Sequence, residues 1–244
     1  MRFIVIFILF FVLVSCQIKE KLSAQEVIDK TIDVSGGDKY HNINIKFDFR
    51  DKHYRSYRKD GIFKYERYFK DSLGTIKDVL NNDGIQRFIN SKLINISDTL
   101  ANGIASSVNS VHYFALLPYG LNDSSVNKQH IGDIEIRGES FYKIKIWFAK
   151  KGGGEDYEDK FIYWINKKTF MIDYLAYSYN EAGEMGMRFR VANNVRFIGG
   201  LRFVDYLNFK PEGSETVLSN IDEAYERNNL KLVSKIKLSN IETY

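Results

Sequence analysis

Few residues in this chain have the types and spacing that chemistry needs. His112 is followed by Tyr113 and, eleven residues on, by Asp123. A histidine titrates near neutral pH, and a carboxylate can orient it as a general base. A hydrolase would use the pair so, and His112, Tyr113 and Asp123 could equally contact a ligand. Ser106, Ser107 and Ser110 are close in sequence, but none stands in a Gly-x-Ser-x-Gly elbow, so the nucleophile is missing. The alternative is a histidine packed at a helix–sheet interface. Glu155, Asp156 and Asp159 follow three glycines and offer hard oxygen ligands of the kind calcium takes, though not at EF-hand spacing. Their ordinary reading is a solvated hairpin tip. Arg188 and Arg190 share one face of a strand by period two and could hold a carboxylate or phosphate; such pairs also occur as plain surface charge.

The amino terminus carries a different chemistry. Arg2 precedes twelve unbroken apolar residues, Phe3 to Val14, and then Ser15-Cys16. This is the layout of a secretory signal peptide, and the run is shorter than the ~20 residues a bilayer-spanning helix needs. Cys16 is the sole cysteine. Leu13-Val14-Ser15-Cys16 resembles a bacterial lipobox. The resemblance implies cleavage after residue 15, acylation of Cys16 and a membrane anchor. Gln17 stands where some inner-membrane lipoproteins carry aspartate, so the resemblance favours the outer membrane; it does not choose the periplasmic or surface side.

Composition sets bounds on the rest. Thirty-five Lys and Arg against 31 Asp and Glu leave a net charge of +4, scattered along the chain, which argues against a nucleic-acid partner. With Cys16 acylated, no thiol is left for a disulfide or a soft-metal site, and no cofactor motif is present. Eighteen Phe and 16 Tyr against 2 Pro favour long strands.

The elements that must position the candidates read as follows. Residues 1–15 are the leader and 16–22 a polar tether. Ser23 and Glu26 form a capping box that opens a helix closed by Gly36-Gly37. Ile43, Ile45, Phe47 and Phe49 alternate with polar residues, as a half-buried strand does. Further strands run to about residue 96. Residues 98–117 are helical, with Ala105, Val108, Val111, His112 and Ala115 near one face, and a short helix starts at Asp123 or Ser124. Strands resume at Ile131 and continue to Phe209. Residues 218–229 are helical, and Lys231–Ile241 is one last strand. The sum is a mainly β (α+β) chain. Ten or eleven antiparallel strands form a curled sheet or half-open barrel around two or three helices, a single domain over residues 23–244. Such a sheet must curl and cover its inner face. Tyr54, Tyr57, Tyr65, Tyr68, Tyr163, Tyr174 and Tyr177 could line the cavity.

That order of elements resembles the lipoprotein-carrier superfamily of LolA and LolB. Phe161-Ile162-Tyr163-Trp164-Ile165-Asn166 and Lys167-Lys168-Thr169 are similar to its central hairpin. A closer resemblance is to a family of lipid-anchored proteins typical of Bacteroidetes, with no established activity. It rests on residues 107–114, on Leu117-Pro118-Tyr119-Gly120-Leu121-Asn122-Asp123, on residues 153–159 and on Arg188-Phe189-Arg190. The resemblance implies a lipid-anchored envelope protein whose curled sheet shelters a hydrophobic, acyl-like ligand. Envelope hydrolysis by His112 and Asp123, and a structural or surface-interaction role, remain the alternatives.

Overall fold

A computed structural model describes residues 21–151, 158–181, 184–213 and 215–244. Cys16 and the leader lie outside the described residues, as do Glu155 and Asp156 of the acidic loop. Among the described residues, fourteen strands form two seven-stranded antiparallel sheets. The first sheet holds β1 (Ile43–Phe49), β2 (Lys52–Lys59), β3 (Ile62–Asp71), β4 (Gly74–Asn81), β5 (Gly84–Ile89), β6 (Lys92–Ile94) and, beside β1, β14 (Leu238–Thr243). The second runs from β7 (Val126–Ile136) through β8 (Glu139–Phe148), β9 (Lys160–Asn166), β10 (Ile172–Glu181), β11 (Glu184–Ile198) and β12 (Leu201–Pro211) to β13 (Leu230–Ile236). Each sheet is a meander, so nearly every partner is also a sequence neighbour.

The expected last strand is two. Lys237 separates β13, which pairs with β12, from β14, which pairs with β1. The chain thus changes sheets across one residue, a step that periodicity cannot reveal. Asp205 fixes the corner: its Oδ1 accepts from the Leu238 amide at 3.0 Å and from Arg196 at 3.0 Å, while Arg196 also donates to the Leu238 carbonyl at 2.6 Å. The sheets meet there and are not closed into a barrel.

Three helices cover them. Helix α1 (Ala24–Ser35) begins at the expected capping box, with Glu26 N–H donating to Ser23 Oγ and Ser23 N–H to the Glu26 carboxylate. That second bond leads in holding the Glu26 carboxyl below its usual range. Gly36, at φ 148°, ends the helix; a Cβ there would lie 2.5 Å from Leu201. Helix α2 (Asp98–Ala115) packs on β3, β4 and β5. Asp123 starts no helix. Residues 116–125 are turns, with the Asp123 amide bonded to the Gly120 carbonyl, and β7 begins at Val126, earlier than Ile131. Helix α3 (Ile221–Glu226) lies on the opposite face of the second sheet from α1. Strand β9 is therefore covered on both sides. Phe161, Tyr163 and Ile165 face the core shared with α1; Ile162 and Trp164 face α3. Its run of apolar residues is that of a strand buried on both faces.

Candidate functional site

Helix α2 stands between the sheets, and its two sides differ. Ile104, Val108, His112 and Ala115 are buried at helical spacing against the first sheet. Ser106, Asn109, Ser110, Tyr113 and Phe114 recur at helical spacing on another side and line a cleft of about 800 Å³.

His112 is sealed on the packed side. Its ring stacks on Tyr65, with centroids 4.2 Å apart, and meets Phe47 and Tyr54 edge-on. It is fully buried, and neither ring nitrogen has a hydrogen-bond partner of good geometry. Burial leads in pushing its pKa down to about 3; the nearby Glu66 backbone opposes it, and the charges of Arg58 and Arg67 push the same way as burial. The imidazole is therefore neutral at physiological pH. Asp123 is exposed on the turn after α2. Partial desolvation by its neighbours leads in raising its carboxyl pKa, while Arg58, His41 and Lys128 oppose that rise. No hydrogen bond joins it to His112. The general base and its orienting carboxylate are not brought together, because one helix turn and a loop carry them to different environments. His112 is a core residue and does not line the cleft.

Beside His112 lies a row that sequence reasoning missed. Arg67, Asp78 and Arg87 stand opposite one another on β3, β4 and β5. Asp78 is fully buried and takes Arg67 at 2.7 Å and Arg87 at 2.7 Å. Arg67 also donates to Ser107 Oγ of α2 at 2.7 Å. Three charges distributed over three strands leave no local signature.

The cleft is bounded by α2, the inner face of the second sheet, and Phe49, Arg50 and Leu238 of the first. Phe148, Phe161, Tyr177, Val204, Tyr206 and Ile236 form the second sheet's share of its apolar wall together with Tyr179 and Val233. Ring contacts make that wall continuous: Phe114 to Tyr177 at 5.2 Å, Phe161 to Tyr177 at 5.6 Å, and Tyr113 to Phe161 at 5.7 Å. Tyr113 and Tyr163 share a short hydroxyl–hydroxyl bond. Burial drives both phenols well above the usual tyrosine range, so both stay neutral.

Of the other expected ligand contacts, Tyr113, Arg188 and Arg190 line the cleft. Arg190 is 8 % exposed, lies 3.8 Å above the Phe114 ring, and donates to the Tyr177 hydroxyl at 2.8 Å; its Nε has no partner. Arg188 is half-buried, lies over Tyr179 and donates to the Met187 carbonyl. Asp159, the one described member of the calcium trio, also lines the cleft, and no metal-type cluster occurs among the described residues. Of the seven tyrosines expected at a cavity, only Tyr177 lines it. Tyr54 and Tyr65 pack under His112, and Tyr174 faces α3 through Tyr225. Burial leads in raising the Tyr174 phenol to about 12. Phe114, Val204, Tyr206 and Ile236 were not singled out in the sequence; apolar wall and apolar core look alike there.

The chain belongs to a family described as "Family of unknown function (DUF6503)", whose model matches residues 2–238. No curated protein matches the chain significantly in sequence. Among solved structures, a LolA superfamily protein from Nitrosomonas europaea is similar over 91% of this chain and 94% of its own, with a TM-score of 0.50 and 13% identity. A DUF1329 family protein from Desulfovibrio piger covers 90% of this chain and 92% of its own, with a TM-score of 0.53 and 12% identity. The chain thus has a LolA-like fold, as expected.

Proposed function

We propose that this protein carries a hydrophobic, acyl-like ligand in the cleft between α2 and the second sheet. The observation that carries the reading is the cleft itself: about 800 Å³ beside a continuous wall of aromatic and aliphatic side chains. Ligand pockets commonly span ~300–1,000 Å³ and are mostly apolar with a few placed polar groups. Burying apolar ligand surface there contributes about 25 cal/mol per Å². The LolA-like fold supports the same reading. No bond chemistry is invoked.

The leader and the anchor belong to this proposal. Residues 1–15 are removed, Cys16 is acylated, and residues 16–22 tether the domain over 23–244 to the cell envelope, at the outer membrane. No helix among the described residues is long and apolar enough to cross a membrane.

The test is occlusion. Ser110 lines the cleft from the surface of α2, away from the packed side. Ser110→Trp is expected to lower binding of a fluorescent fatty acid at least tenfold with little change in melting temperature. Mass spectrometry of protein purified without detergent is expected to find a co-purifying lipid. Unchanged binding in the variant, or no lipid and no binding in the wild type, sinks the proposal.

A further inference from the structure

The cleft wall is not uniformly apolar, and its polar part has a pattern. Arg188 and Arg190 point inward from one strand, about 7 Å apart at the usual strand rise. Arg50 also reaches the cleft, so among the described residues three arginines face it against one carboxylate, Asp159. Among the described residues, no carboxylate pairs with Arg188 or Arg190; their contacts are tyrosine and phenylalanine rings, a phenol and a backbone carbonyl. Arg190 is more than nine-tenths buried, with Nε unpartnered. Opposite it on β12 stands Asn208, also lining the cleft, whose buried Oδ1 has no partner while its Nδ2 donates to Ser234. Buried polar groups without partners are rare, and a buried guanidinium normally meets an anion. Here a donor with positive charge and an acceptor sit on adjacent strands, beside the aromatic wall.

We infer that the cleft takes an anionic amphiphile, its carboxylate or phosphate headgroup held by Arg188 and Arg190 and its chain laid along the Phe161–Tyr177 wall. Guanidinium forks fit either headgroup. Asn208 Oδ1 is placed to accept from a hydroxyl or N–H on the same headgroup. This rests on the carrier reading and narrows it: a neutral lipid would leave the arginine charge buried and unanswered.

The experiment is titration of the full chain with oleate, with oleyl alcohol, which has the same tail without charge, and with inorganic phosphate. Oleate is expected to bind at least tenfold more tightly than the alcohol, and phosphate alone only weakly. The double variant R188Q/R190Q is expected to weaken oleate at least tenfold, down to the level at which the unaltered chain binds the alcohol. R188Q alone, at a half-buried position, is expected to weaken oleate about threefold and so tests the idea even if the double variant misfolds. Equal binding of oleate and alcohol, indifferent to both variants, overturns the headgroup site and leaves the carrier reading standing. Phosphate as tight as oleate overturns the amphiphile in favour of a free-anion site. If neither oleate nor the alcohol binds, the carrier reading falls and this inference with it.

Discussion

The two sides of α2 solve different problems with similar residues. Toward the first sheet, rings close without space: His112 lies flat on Tyr65, and the buried row Arg67–Asp78–Arg87 reaches the helix through Ser107. Toward the second sheet, rings line space: Tyr113 and Phe114 meet Phe161 and Tyr177 across a cleft. Aromatic content alone does not distinguish a core from a cavity; what distinguishes them is whether the rings have partners on every side. The packed side anchors the helix, and the open side is where a ligand gains most by entering.

Several changes would break or sharpen that contrast. The largest effect is expected from Asp78→Ala, which leaves two arginines without their carboxylate in a buried site; removing one member of such a set costs about 3–5 kcal/mol. Urea unfolding would measure it, and a loss under 1 kcal/mol would mean the row is not under load. Next come truncations of the two ring sets. Tyr65→Ala removes the surface on which His112 lies and is expected to cost about 3 kcal/mol. Phe114→Ala, facing space, should cost only ~1 kcal/mol, mostly its contact with Arg190. Equal losses from both would erase the distinction between the two sides.

A pH experiment isolates His112. Its pKa is depressed to about 3 in the folded chain, against 6.5 ordinarily. The unfolded chain therefore binds a proton that the folded chain refuses. The stability due to the neutral imidazole is present above about pH 6.5 and is lost progressively as pH falls toward 3. Between pH 7 and pH 5 the native chain should lose roughly 2 kcal/mol more than His112→Leu. Parallel pH dependences for the two proteins would show that the ring is not sealed. The smallest effect is expected far from α2, at Ser23→Ala, where loss of the cap costs ~1 kcal/mol; thermal unfolding that shifts as much as for Tyr65→Ala would contradict the ranking.

Local features were readable in the sequence, and choices between two apolar environments were not. The capping box at Ser23 and Glu26, the glycine stop at Gly36 and the alternation of β1 depend on residues a few positions apart. Period two placed Arg188 and Arg190 on one face, but nothing nearby says that this face looks inward. His112 and Tyr113 are consecutive on α2 with rings on either side; only the sheets decide that the first is sealed and the second opens on the cleft. The apolar positions of residues 230–241 continue through Lys237, and the break there is set by partners some two hundred residues earlier, as with Ile45 opposite Thr243.

That pairing has a consequence for how the chain is made. Strand β1 leaves the ribosome nearly two hundred residues ahead of its partner β14, as Ile45 opposite Thr243 shows. Until residue 238 emerges, β1 has one row of amides and carbonyls with no neighbour, an edge open to any passing strand. The first sheet can form its other six strands early, but it is finished only when β14 emerges. Closing a loop of that span is slow. A shortened carboxyl terminus would therefore be paid for at the opposite end of the molecule, as a sticky first strand.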